Sequence, residues 1–223
     1  MDLTNPFKYI LALVAGALGT LAFAPFNFWW CASISIAIWM WLSIKYSGFY
    51  VGFIYGLGLF GSGVSWISIS MTEHGGASIL LALTMTAVFV AGLAVFPGIA
   101  SLGYTKWHKR WSTTLGRVCL LTSCWVTMEA LRSWFLTGFP WLLLGYSAIE
   151  TPFEGYLSWV GVFGTTALIC LTSGFLLASL MDRKIKPMLL TIIILAGGLE
   201  LNKQFIPEEN PENSAHVALW QPV

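Results

Sequence analysis

Seven long apolar stretches constrain this chain more than any other feature: residues 7–24, 26–44, 48–70, 77–104, 115–136, 155–181 and 187–201. A helix needs about 20 mostly apolar residues to cross a bilayer. In lipid every backbone polar group must be satisfied within the spanning structure, which a helix achieves alone and an open strand does not. The expected fold is therefore all-α, a polytopic transmembrane helical bundle of about seven helices, spanning residues 1–201. Charge is consistent with that. Only 9% of the 223 residues are charged and 57% are hydrophobic, whereas a soluble domain carries about 25% charged residues. Disorder is excluded, because it requires low hydrophobicity and high net charge. A nucleic-acid partner is excluded as well: 11 Lys+Arg against 10 Asp+Glu leave a net +1 and no basic patch.

The fourth stretch contains Pro97 and is expected to kink near its end. The seventh is short. Residues 138–149 are apolar but broken by Gly138, Pro140 and Gly145, and read as an interfacial or re-entrant segment. Ala22-Phe23-Ala24 imitates a signal-peptide cleavage site, but Pro25 follows it and six further apolar stretches come after. The first stretch is therefore kept as a span.

Charge also orients the bundle. With the N-terminus inside, Lys8, Lys45, Lys106, Lys109, Arg110, Arg117, Arg183, Lys184 and Lys186 fall in the cytoplasm, and only Arg132 and Lys203 fall outside. This is the positive-inside pattern. Trp29, Trp30, Trp39, Trp41, Trp107, Trp111, Trp134 and Trp141 stand at expected span ends, where amphipathic rings favour the headgroup zone. The four cysteines, Cys31, Cys119, Cys124 and Cys170, sit in apolar runs at spacings that match no zinc pattern. They read as packing residues. No metal or cofactor motif is present.

Residues 202–215 turn polar and acidic, with Pro207 and Pro211, and read as an exposed linker on the outer side. Residues 216–223, HVALWQPV, have the composition of an opening β-strand. A further domain is expected to begin there and to be cut off almost at once.

Three features carry candidate chemistry. Gly48, Gly52 and Gly56 recur every four residues, followed by Gly58, Gly61 and Gly63. That spacing lets helices approach closely, and the later glycines are also candidates to open a crevice for an acyl chain. Glu129 and Arg132 are three apart and share a helix face. Intramembrane ionisable residues are functional candidates by default, and a guanidinium fork suits phosphate; the alternative is a structural clamp on residues 137–146. That segment is the third feature. Gly138 and Pro140 fix a turn, while Phe139, Trp141 and Tyr146 supply interfacial rings suited to lipid. Glu73 and His74 form an acid–base pair without a nucleophile and read as solvated loop, as does His108.

These residues resemble the bacterial apolipoprotein N-acyltransferase family. The resemblance runs along the chain through residues 16–25 (GALGTLAFAP), residues 52–70 (GFIYGLGLFGSGVSWISIS), Glu129-x-x-Arg132, residues 137–141 (TGFPW) and Gly145-Tyr146. Ser133 stands where the family usually has glycine. The resemblance implies an inner-membrane enzyme whose helical domain precedes a periplasmic nitrilase-like α/β domain. Such an enzyme moves an acyl chain from a phospholipid donor onto a cysteine thiol. It then passes the chain to the α-amino group of a diacylglyceryl-modified apolipoprotein. The thioester divides one hard transfer into two easier ones.

On this reading residues 202–215 are a periplasmic linker and 216–223 open the nitrilase-like domain. The catalytic glutamate, lysine and cysteine then lie outside this chain, and none of its cysteines takes the role. The substrate- or lipid-binding candidates are Glu129, Arg132, Gly138, Phe139, Pro140, Trp141 and Tyr146. Two other readings stay open: a non-catalytic scaffold binding lipid or a partner, and a transporter. A transporter usually shows internal repeats and several midplane ionisable residues, and no repeat is visible here.

Overall fold

The structure, a computed structural model, describes residues 6–205. Its elements are α1 (Phe7–Thr20), α2 (Trp30–Tyr46), α3 (Phe49–Gly63), α4 (Trp66–Glu73), α5 (Ile79–Trp107), α6 (Thr114–Arg132), α7 (Glu154–Asp182) and α8 (Ile185–Phe205). Short 3-10 turns occupy His108–Arg110, Phe135–Thr137 and Leu144–Ala148.

The expected opening strand is corrected: among the described residues the fold is helical and contains no strand. Residues 216–223, on which that expectation fell, lie outside the described residues. Within the described residues each helix satisfies its own backbone donors and acceptors, which a strand cannot do alone.

Six of the seven apolar stretches form one helix each, and the third forms two. Residues 48–70 break after Gly63 into α3 and α4, bent by 45°. The stretch 155–181 is also interrupted, because Gly161 (φ 64°, ψ −173°) leaves helical geometry inside α7. A backbone conformation of this kind suits glycine alone among common residues. Among the described residues, three helices are long and apolar enough to cross a bilayer: α5 with its 3-10 extension, α7 and α8. A bent α3–α4 pair counted as one span makes four. α1, with 14 residues, covers about 21 Å at 1.5 Å per residue, against a hydrocarbon core of about 30 Å. α8 runs on to Phe205, so Asn202, expected to open the linker, is helical. Its side-chain amide donates to the Thr151 carbonyl at 2.9 Å and its oxygen accepts from Gly155 N–H.

α3 packs between α1 and α5, and the glycines explain how closely. A methyl group at Gly52 would collide with the Pro97 carbonyl of α5, one at Gly56 with the Ala94 backbone, and one at Gly16 or Gly58 with backbone across the α1–α3 seam. Gly48 serves differently, with φ 129° and open space around it, and Gly61 also faces open space.

The core centres on Trp39, Tyr55 and Trp125, all buried. The rings of Trp39 and Trp125 meet edge-on with centroids 4.8 Å apart. Trp39 is therefore a core residue and not part of an interfacial belt. Its indole N–H donates to Ser101 Oγ at 3.0 Å, which removes the polar edge that would otherwise favour the headgroups. Cys31 and Cys170 are buried and Cys119 is exposed.

Candidate functional site

Residues 133–150 leave α6 and return to α7 without forming a helix of more than five residues. The path is held from inside by two ionisable side chains of α6. Glu129 and Arg132 are 0% and 2% exposed, in a medium where an unpaired polar group is costly. They do not form a direct ion pair within 4.0 Å. Arg132 instead binds neighbouring backbone carbonyls, and Glu129 one backbone N–H and two side chains.

Arg132 Nη1 donates to the carbonyl oxygens of Phe139 at 2.7 Å and Trp141 at 2.6 Å, and Nη2 reaches Leu142 O at 3.5 Å. Its guanidinium lies 5.1 Å from the Phe60 ring centroid of α3, and its Nε has no hydrogen-bond partner among the described residues. Glu129 accepts from Trp125 Nε1 at 3.1 Å and Leu144 N–H at 2.8 Å on one oxygen, and from Thr166 Oγ1 at 2.8 Å on the other. Thr166 Oγ1 in turn accepts from Gly145 N–H at 2.9 Å. Carbonyls thus go to the arginine and N–H groups to the carboxylate and its threonine. The i, i+3 spacing on one face of α6 brings both types of partner to one short segment.

The held segment stores strain. Leu136, Thr137 and Leu142 adopt φ of 50°, 75° and 55°, and non-glycine residues in such conformations cost about 1–3 kcal/mol each. Gly138 has φ 81°, and any Cβ there would strike the Ser133 carbonyl. Ser133 Oγ donates to Glu129 O at 2.8 Å, so the hydroxyl is absorbed by the helix end.

Beyond this wall lies a cleft of about 830 Å³. Pro140, Trp141 and Tyr146 line it on one side, Ala22 to Asn27 of the α1–α2 turn on another, and Ser62, Gly63 and Trp66 at the α3–α4 bend on a third. The Ala24–Pro25 bond is cis. Trp141 and Trp66 rings face each other at 5.7 Å, and Leu142 packs where a side chain at Gly63 would stand. The lining is mostly apolar, with hydroxyls from Thr20, Ser62, Tyr146 and Ser147 and the side chains of Asn27 and Glu150. Such a mixture accommodates a long apolar chain carrying a polar end.

Of the seven candidates, Pro140, Trp141 and Tyr146 reach the cleft, while Glu129 and Arg132 stand behind its wall and Gly138 makes the turn. Phe139 points elsewhere, its ring edge-on to Phe89 of α5 at 5.0 Å. Sequence reasoning misses Thr166, Ser62 and Trp66. Thr166 offers no local signal, because a threonine in a membrane helix ordinarily bonds its own i−4 carbonyl, as Thr165 does to Gly161 O at 2.9 Å. The 16–25 motif is visible in the sequence without an assigned role; the cleft supplies one. Glu73 and His74 are exposed at the end of α4, and no cluster of metal-ligating side chains occurs among the described residues.

The family described as apolipoprotein N-acyltransferase N-terminal domain matches residues 15–175. The chain is 34% identical over 223 residues to the apolipoprotein N-acyltransferase of Photobacterium profundum, covering 96% of this chain and 42% of that protein. For the Coxiella burnetii protein of the same name the identity is 36% over 218 residues, covering 95% and 45%. For that of Pseudomonas aeruginosa it is 38% over 172 residues, covering 75% and 34%. The chain therefore spans less than half the length of these relatives.

Proposed function

The chain belongs to the apolipoprotein N-acyltransferase family, and from that premise we propose that it is the membrane half of an enzyme that N-acylates lipoproteins. Its substrates on this reading are a phospholipid acyl donor and an apolipoprotein already carrying diacylglyceryl on its N-terminal cysteine. The chemistry of thioester formation and aminolysis belongs to a nitrilase-like catalytic half. The helical half anchors that unit in the inner membrane and presents lipid to it. The nine-to-two distribution of Lys and Arg supports a cytoplasmic N-terminus and a periplasmic exit from α8.

The observation that carries this reading is the 830 Å³ cleft at the end of the bundle that bears Arg132, opposite the basic loops. Both substrates are lipids with polar heads, and the cleft combines apolar walls with hydroxyls and amphipathic rings. Trp66, Trp141 and Tyr146 suit the boundary between acyl chains and headgroups. Glu129 and Arg132 are positioning residues here: Arg132 binds the carbonyls of Phe139, Trp141 and Leu142, and Glu129 binds the Leu144 N–H of the wall and Thr166, which holds Gly145.

The test is Ser62→Trp in the full-length protein, assayed for acylation of an apolipoprotein in membranes. Ser62 is exposed in the cleft, so a large ring there occupies the space without touching the clamp. Acylation is expected to fall by about tenfold or more with normal protein abundance. Unchanged acylation in a normally abundant variant would contradict the reading.

A further inference from the structure

We propose that the apolar groove between α1, α2 and α7 holds one acyl chain of an anionic glycerophospholipid whose headgroup rests at Lys45. The groove encloses about 330 Å³ and is bounded by Leu11 of α1, by Ile34, Ala37 and Trp41 of α2, and by Leu176 and Leu180 of α7. It is separate from the cleft. The cleft gathers residues from the α1–α2 turn, whereas the groove runs along α2 from Ser33 to Trp41 and along the last turns of α7, which end at the basic residues Arg183 and Lys184.

Its length and lining suit an acyl chain. From Ser33 to Trp41 the helix rises about 12 Å, most of the roughly 15 Å that one leaflet contributes to a 30 Å core. The lining along that length is apolar on both α2 and α7, which suits an extended hydrocarbon chain lying along the groove. The lining asks for nothing polar. Its hydroxyls are those of Ser33 and Ser173, and the Ser173 hydroxyl donates back to Ile169 O at 2.7 Å.

The charge at the groove's end selects the headgroup. Lys45 follows Trp41 by one turn, and its Nζ lies 4.8 Å from the Trp41 ring centroid and 5.3 Å from that of Tyr46. Lys8 Nζ stands 5.3 Å from the same Tyr46 ring. Among the described residues no carboxylate lies within 4.0 Å of Lys45. On the α7 side, Leu180 leads directly to exposed Arg183 and Lys184, and the neighbouring Asp182 carboxylate accepts from Thr114 Oγ1 at 2.7 Å. An acyl chain lying against Trp41 would bring its phosphate to the end of the groove that carries the exposed Lys45, Arg183 and Lys184, and a headgroup with net negative charge gains from them where a zwitterionic one gains less.

The experiment is native mass spectrometry of the full-length protein after delipidation, titrated with phosphatidylglycerol or phosphatidylethanolamine of matched chains. The Ser62→Trp form is used throughout, so that lipid in the cleft does not contribute. One tightly held phosphatidylglycerol is expected, with an affinity about tenfold above that for phosphatidylethanolamine. Ala37→Phe, which fills the groove, should weaken both lipids by about tenfold. Lys45→Gln, at an exposed position, should weaken phosphatidylglycerol far more than phosphatidylethanolamine and so abolish the preference. Equal affinity for the two lipids, or a Lys45→Gln form that keeps the preference, would overturn the proposal. So would Ala37→Phe binding like its parent, or a dimer in which the second copy excludes lipid.

Discussion

Two regions of this bundle bring backbone close to backbone by opposite means. Along the α1–α3–α5 seam the sequence removes side chains: Gly16, Gly52, Gly56 and Gly58 leave room for carbonyls of the neighbouring helix, and contact comes from shape alone. At the other region, residues 136–147, it adds the most expensive side chains available. Glu129 and Arg132 bind six partners around a strained turn. The difference teaches what each region is for. A seam of small residues fixes a regular crossing and needs nothing else. A non-helical segment at the membrane level exposes N–H and C=O groups that only polar side chains can satisfy, and it is tolerated where it lines a cavity.

The comparison can be broken from either side. The largest expected effect is Arg132→Ala, which orphans three carbonyls and leaves Glu129 buried without a cation nearby. Each buried acceptor left unsatisfied costs about 1–3 kcal/mol, so unfolding in detergent should show a large loss of stability and the cleft should not persist. An Arg132→Ala protein of near-normal stability would mean that the turn holds its shape without the clamp. Gly52→Ala comes next. The added methyl meets the Pro97 carbonyl, and overpacking of this kind costs about 1–3 kcal/mol, readable as a lowered thermal midpoint.

Thr166→Val is expected to cost a comparable or smaller amount, about 1–3 kcal/mol for a buried group left unsatisfied. It strands the Gly145 N–H and one Glu129 oxygen together, and Thr166→Ser should restore most of the loss. The smallest effect sharpens the seam argument from within. Gly61 lies on the same helix with open space around it, so Gly61→Ala should be neutral or stabilising by about 0.5–1 kcal/mol. Equal penalties at Gly52 and Gly61 would show that spacing alone, and not close approach, governs this helix.

The seam is legible in the sequence because its signal is local: glycine at every fourth position is a spacing rule. The helices are legible for the same reason, since apolar length is counted along the chain. The clamp is only half legible. Glu129 and Arg132 declare themselves by charge in an apolar run, but their partners include backbone atoms 7 to 15 residues away, and a backbone carbonyl carries no sequence signature. An i, i+3 spacing says that they share a face and not which groups each one binds. Thr166, 37 residues from Glu129, is invisible for the same reason. The break of residues 48–70 after Gly63 is hidden because an apolar run has the same composition whether straight or bent. Trp39 reads as interfacial by position along its helix, whereas it packs against Tyr55 and Trp125 and its indole N–H meets Ser101, 62 residues on.

The central claim is that the clamp on residues 139–144 builds the wall of a lipid-binding cleft. Its most direct test is photocrosslinking of the full-length protein in bilayers with a phospholipid bearing a diazirine on its acyl chain, with adducts mapped by mass spectrometry. The account predicts adducts at residues 62–66 and 140–146 in the unaltered protein. In Arg132→Ala these should disappear, while adducts along Ala37, Trp41 and Leu180 persist. Cleft adducts that survive Arg132→Ala, or their absence from the unaltered protein, would contradict it.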